Sequence, residues 1–139
     1  MRLDHVHLQC RDREAMVAWC QAALDLVPAS QYAIWDQGGG PRFLQTKTGE
    51  NALALFAAPH TQSDGGDHTV AFVVDGPSFL ELWTRAENLG LMHPSGVSLS
   101  AMGPTDHHGL SWSMYFLSPE AHRFEITCYD IATVRDGLQ

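Results

Sequence analysis

Lysine is almost absent. Lys47 is the only one, and 8 basic side chains face 16 acidic ones for a formal net charge of −8. A surface this acidic repels a phosphate backbone, and no basic stripe can be assembled along any element, which argues against nucleic acid as a partner. Long apolar runs are missing too: the longest nearly apolar stretch, Ala52 to Pro59, is far short of the roughly 20 residues that cross a bilayer as a helix. The N-terminus enters a patterned segment with no signal-type apolar region, so the expectation is a soluble, cytoplasmic protein without a membrane partner. Cysteine is scarce and odd in number, with Cys10, Cys20 and Cys128 widely spaced among apolar neighbours. That disfavours a disulfide framework or a Cys-based zinc site and predicts buried, reduced thiols.

What is present describes an ordinary globular domain, with 45% hydrophobic and 17% charged residues in 139. A chain of this length should bury roughly 70% of the surface its unfolded form exposes, so a metal is not needed merely to supply a core. The chain also repeats itself. Asp4-His5-Val6 through Asp12 can be laid over Asp67-His68-Thr69 through Asp75 at a constant offset of 63. Asp12 is a plausible N-cap, followed by Met16, Trp19, Cys20, Ala23 and Leu24 as one apolar helical stripe. In the second half Asp75 or Gly76 precedes Pro77 at a first-turn position, and Phe79, Leu82, Trp83 and Ala86 mark a buried face.

After each helix the chain turns to strand-like material broken by glycine and proline. The pattern predicts strands over Gln31 to Trp35, Arg42 to Thr46 and Ala52 to Ala57, then Val97 to Ala101, Leu110 to Leu117 and Arg123 to Tyr129. Each half therefore reads βαβββ. The expected class is α+β, a single domain over 1–139 with module 1 at about 1–60, module 2 at about 66–130 and a short C-terminal tail. In the opening strand His5 and His7 share one face and Val6 and Leu8 the other; in the last, Glu125 alternates with Phe124 and Ile126. If the sheets curve, Glu125 can point into a concavity.

These features resemble the vicinal-oxygen-chelate superfamily, which includes glyoxalase I, fosfomycin-resistance thiol transferases, extradiol ring-cleaving dioxygenases and metal-free bleomycin-binding proteins. The likeness covers nearly the whole chain. It rests on Leu3-Asp4-His5-Val6, the Asp12 helix ending in Leu24-Asp25-Leu26, His68 at the repeat, and Tyr115 through Glu125. Ser118-Pro119-Glu120-Ala121-His122 stands where family members commonly show Asp-Pro-Asp-Gly-Asn. The resemblance implies two modules forming curved mixed sheets around a central cleft, with one divalent metal held by His5, His68 and Glu125. Such a set leaves open coordination positions and suits Fe(II), with Mn, Co, Ni or Zn as alternatives. It also implies a homodimer and a small-molecule substrate.

Several neighbours carry two readings each. His7 is a polar lining residue, an acid/base group or an outer partner of the metal ligands. Tyr115, ten residues before Glu125, resembles the active-site tyrosine of the dioxygenases and fosfomycin-resistance enzymes, where a phenol can bond an oxyanion; strands also favour tyrosine for packing alone. His107 and His108 are either a catalytic base near the substrate or solvated loop residues. His122 reads as turn or rim, and His60 and His93 carry no pattern. Trp35, Trp112, Phe43 and Phe56 are an apolar wall for a ring or ordinary core.

Within the superfamily, glyoxalase I needs a further carboxylate or amide ligand on the last strand of the first half, and Asn51-Ala52-Leu53-Ala54-Leu55-Phe56 supplies no carboxylate there. A phosphonate substrate calls for cationic partners, yet no lysine follows Lys47 and Val134 stands near where the C-terminal arginine would fall. The remaining expectation is an extradiol-type dioxygenase acting on a catechol-like or enediol-like compound. A non-oxidative lyase, isomerase or thiol transferase on the same scaffold, or a metal-free binding protein, are the alternatives.

Overall fold

Strand alternation and two side-chain-capped helices build the framework that the sequence pattern predicts. The structure, a computed structural model, describes residues 1–58 and 68–139. It divides into two compact units, Met1–Asp64 and Gly65–Gln139. Asp67, part of the repeat match, and His60 lie outside the described residues. Among the described residues, no helix is long and apolar enough to cross a membrane.

The first unit runs β1 (Val6–Cys10), α1 (Arg13–Leu24), β2 (Val27–Pro28), a 3-10 segment (Ser30–Gly39), β3 (Arg42–Gln45) and β4 (Asn51–Ala57). Asp12 caps α1 by accepting from Ala15 N at 3.0 Å, satisfying one of the amides a helix start leaves unpaired. The helix stops where Asp25 turns left-handed at φ 57°. Met16, Val17, Cys20 and Ala23 form its buried face, with Trp19 and Leu24 half-buried beside them. The sheet order is β1-β4-β3-β2. β1 lies parallel to β4 with Val6 opposite Leu53 and His7 opposite Ala54, and β3 runs antiparallel with Phe43 opposite Ala54. Fully buried Leu53, Leu55 and Cys10 thus share one face, while His7, Ala54 and Phe43 share the other.

The second unit runs β5 (Thr69–Val73), α2 (Gly76–Arg85), α3 (Leu99–Met102), β6 (Thr105–Asp106), β7 (Trp112–Leu117), β8 (Arg123–Cys128) and α4 (Ile131–Gly137). Asp75 caps α2 by accepting from Ser78 N at 2.9 Å. The sheet order, β5-β8-β7-β6, repeats that of the first unit. Phe116, Phe124, Met114 and Cys128 are fully buried on one face, leaving Tyr115, Glu125 and Thr127 on the other. The α+β class and the two βαβββ modules are therefore as expected.

Local details differ. Gln31 to Trp35 is no strand but part of the 3-10 segment. Its side chains are mostly exposed, and a two-arginine clamp on Asp36 holds it instead of a strand partner. Val97 to Ala101 likewise gives way to α3, because the Ser98 side chain accepts from Ala101 N at 3.2 Å and nucleates a helical turn. Residues after about 130, read as a tail, form α4, whose Val134 is fully buried. α4 crosses α2 so closely that a Cβ on Gly76 would fall 2.6 Å from Thr133 Cγ2. All three cysteines are buried thiols outside any disulfide.

Candidate functional site

Two polar-aromatic faces carry the predicted site residues, one in each unit. In the first, His5 and His7 lie on the face that Ala54 and Phe43 occupy. His5 Nδ1 lies 2.7 Å from Asp4 Oδ2. With the carboxylate as acceptor, His5 carries its proton on Nδ1 and presents the lone pair of Nε2. That lone pair meets His7 Nε2 at 3.0 Å, so in this state His7 is the donor. The rings are clamped by aromatic edges: His5 packs on Phe43 with centroids 4.7 Å apart, and His7 on Phe56 at 4.8 Å.

Asp4 is tied back into the fold by Asn51 Nδ2 at 3.1 Å, which also reaches Tyr32 Oη at 3.4 Å. The bond from His5, followed by that from Asn51, pulls the Asp4 carboxyl below its ordinary range. Beyond Phe43 the aromatic row continues through Tyr32 to Trp35, whose rings stack at 4.6 Å and 9°. Trp35 is half exposed, Phe43 is buried, and Phe56 and Trp112 are half-buried, with Trp112 on the Cys128 face of the second sheet and not on that of Glu125, so the four residues do not form one wall. A pocket of about 80 Å³ opens beside Ala29, Tyr32, Asp36 and Phe43. That is smaller than the roughly 150 Å³ cavity known to admit benzene, so it does not serve as a ring pocket by itself.

In the second unit Glu125 sits opposite Tyr115, and Ser113 opposite Thr127, across the β7–β8 ladder. Buried Ser113 donates to Glu125 Oε1 at 2.8 Å, and Tyr115 donates to the same oxygen at 3.3 Å. Tyr115 has one hydroxyl hydrogen. With it given to Glu125, the contact of 3.1 Å to His107 Nε2 has the imidazole donating, and Nδ1 is left as the nitrogen that can take up a proton. Burial pushes the Tyr115 phenol above its ordinary range; the hydrogen bond with Ser113 opposes this, and the Glu125 charge and hydrogen bond reinforce it.

The adjacent histidines separate cleanly. His107 reaches Tyr115, whereas His108 occupies the exposed turn at φ 57°. His122 bonds Ser118 Oγ at 3.0 Å within the turn before β8, where Ala121 holds the left-handed φ of 66°. His93 Nδ1 accepts from Ser95 N at 3.1 Å in a local turn.

His68 lies at the entrance of β5, one residue before its ladder begins at Thr69 opposite Arg123. Ala71 pairs with Glu125, so by alternation Thr69 shares the Glu125 face. Within neither unit do three His, Cys, Asp or Glu side chains among the described residues form a metal-holding group. The individual donors nonetheless suit a cation: His5 has an oriented Nε2 lone pair, and the bonds from Ser113 and Tyr115 to Glu125 both fall on Oε1. Sequence reasoning overlooked Asp4, Ser113 and Thr127. The signal for them was available, since Asp4 adjoins His5, and Ser113 and Thr127 stand two strand positions from Tyr115 and Glu125.

The sequence matches no protein-family model and no curated protein. Solved structures do match. An integron cassette protein from the mobile metagenome of the Halifax Harbour sewage outfall superposes with a TM-score of 0.69 at 18% identity, over 91% of this chain and 97% of that one. The fosfomycin resistance protein FosX from Listeria monocytogenes gives 0.68 at 17% identity, over 96% and 98%. A glyoxalase/dioxygenase from Nostoc punctiforme gives 0.65 at 22%, over 92% and 90%. The chain has the vicinal-oxygen-chelate fold.

Proposed function

We propose that this protein is a divalent-metal-dependent enzyme of the vicinal-oxygen-chelate type, with His5, His68 and Glu125 as metal ligands and an extradiol-type oxidation of a catechol-like or enediol-like compound as its reaction. The observation that carries the reading is the His107–Tyr115–Glu125 chain of hydrogen bonds on one sheet face. A structural tyrosine in a strand needs no imidazole at its hydroxyl. A phenol held between a carboxylate and a histidine is placed to exchange protons with a bound oxygen. Support for a metal on this fold comes from a variant of the L. monocytogenes FosX, which is complexed with Mn(II) and a dihydroxypropylphosphonic acid.

Fe(II) is the favoured cation, with Mn, Co, Ni and Zn as alternatives. When bound, such a cation polarises two neighbouring substrate oxygens as a Lewis acid. The protein's part is to orient and to move protons. Asp4 fixes the His5 tautomer, and Ser113 holds Glu125 in one rotamer. Tyr115 keeps its proton at neutral pH because burial and the Glu125 charge both favour the neutral phenol. Its single proton, given to Glu125 in the free protein, can be turned to an oxyanion that develops on substrate when the long 3.3 Å bond to the carboxylate is released. His107 can accept a substrate proton at Nδ1 while Nε2–H supports the phenol.

The test is metal content of the purified protein followed by oxygen uptake of the Fe(II)-loaded form against a panel of catechols and enediols. About one metal per chain and dioxygen-dependent turnover are expected. Metal binding without oxygen uptake across the panel would reject the dioxygenase reading in favour of a non-oxidative metalloenzyme. Absence of metal binding would leave a small-molecule binding protein.

A further inference from the structure

We propose that His7 is itself a metal ligand, forming with His5 a two-nitrogen chelate on a single strand; the inference rests on the reading that His5 binds a divalent cation. In the sequence His7 was only a candidate lining or supporting residue. The geometry of the first unit gives it more. Alternation puts both imidazoles on one face, and their Nε2 atoms approach to 3.0 Å while the ring centroids stay 5.0 Å apart with planes inclined by 22°. The rings thus meet through their nitrogens. For metal–nitrogen bonds of about 2.1 Å, this separation of 3.0 Å subtends about 91° at a common cation. Cis positions in six-coordinate geometry, such as those of a facial ligand set, require this angle. A tetrahedral pair would need the nitrogens roughly 3.4 Å apart at the same bond length.

Both nitrogens come within reach of one cation once the hydrogen bond between them is given up. Asp4 holds the His5 proton on Nδ1, so His5 Nε2 already carries its lone pair. His7 needs only to move its proton from Nε2 to Nδ1, a tautomer change that leaves the ring neutral. Phe43 and Phe56 pack on the two rings and limit their rotation, so little rotamer entropy remains to be lost on binding. The second unit supplies a complementary reason. Thr69 shares the face of Glu125, whereas His68 precedes the ladder and is exposed. An imidazole pair from β1 provides two nitrogens regardless of how His68 is directed.

The experiment measures Co(II) binding to the full chain by calorimetry and by cobalt absorption, comparing wild type with His5→Ala, His7→Gln and His7→Cys. Glutamine keeps a hydrogen-bond donor but is a poor ligand; a thiolate is a good ligand. A ligand role predicts that His7→Gln loses more than about 100-fold in Co(II) affinity, beyond the 10–100-fold typical of losing an outer partner. It predicts that His7→Cys restores binding to within about tenfold and adds a thiolate-to-cobalt charge-transfer band. That band is assignable to position 7 because the three native cysteines are buried. Near-wild-type affinity in His7→Gln, or Co(II) bound by His7→Cys without the band, would overturn the proposal while His5→Ala still loses metal. Unimpaired binding in His5→Ala, or none in wild type, would instead defeat the underlying reading and the chelate with it.

Discussion

Replacing Asp36 with alanine tests whether the aromatic platform is held by charge. Asp36 Oδ2 accepts from Arg42 Nε at 2.7 Å, and Oδ1 lies 2.6 Å from Arg13 Nη2. The second contact lacks hydrogen-bond alignment, since Oδ1 is buried without a hydrogen-bond partner, so it contributes through charge alone. The side chains are 22%, 25% and 14% exposed for Asp36, Arg42 and Arg13, which keeps solvent screening modest. A hydrogen bond to a charged group contributes about 1.5–3 kcal/mol. Arg42 retains Glu14 at 2.6 Å and Arg13 retains the Gly40 carbonyl, also at 2.6 Å, so neither cation is stranded. Asp36→Ala should therefore destabilise the protein by about 2–3 kcal/mol. Urea unfolding gives the loss, and hydrogen exchange over residues 30–39 should show faster exchange there, loosening Tyr32 and Trp35. A change below about 0.5 kcal/mol, the range of an ordinary surface substitution, with unaltered exchange, would refute the clamp.

Tyr115→Phe should lower kcat by more than it weakens substrate binding if the phenol acts only on charge formed during reaction; an unchanged rate per folded, metal-loaded site would make Tyr115 purely structural. Burial, and then the neighbouring Cys10, raise the Cys20 thiol from 9.0 to about 12. A raised folded value means the stabilisation is complete below pH 9 and is lost as pH climbs toward 12, by about 4 kcal/mol in all; unfolding curves of Cys20→Ala should lack this component, and an identical alkaline slope in both proteins would contradict it. A homodimer is expected from the family likeness, and light scattering giving a strictly monomeric mass at micromolar concentration would count against it.

The helices were legible in the sequence because their signals are local. Asp12 and Asp75 each needed only the amide three residues on, and the stripe through Met16, Cys20 and Ala23 needs no knowledge of the partner. β2 and β6, of two residues each, are too short to show a period. The strand expected at Gln31 to Trp35 failed because ion pairing of Asp36 is a tertiary event. The repeat match was informative yet misplaced by one step. Offset 63 aligns His68 with His5, but the inward pairs Val6–Leu53 and Val70–Phe124 set the two opening strands 64 apart, so Thr69 takes the ladder place of His5 and His68 would have to reach a cation from the strand entrance. A slip of one residue changes the face of every side chain in a strand, and dipeptide identity cannot detect it. The Tyr115–Glu125 pairing was foreseeable from spacing, whereas the choice of His107 over His108 depended on a left-handed turn.

The parallel pairing of β1 with β4 has a consequence for synthesis. β1 is made before β4, and Leu53, the partner of Val6, leaves the ribosome 47 residues later, several seconds at about 5–20 residues per second. Until then β1 has no ladder, and nothing holds His5 and His7 in register against Phe43 and Phe56. If His5 and His7 bind a cation as proposed, nascent chains should emerge unable to take it up, because only closure of the first module brings the two nitrogens together. On the proposed ligand set, cation capture would therefore follow folding of the first module, and the cation would not serve as its folding nucleus.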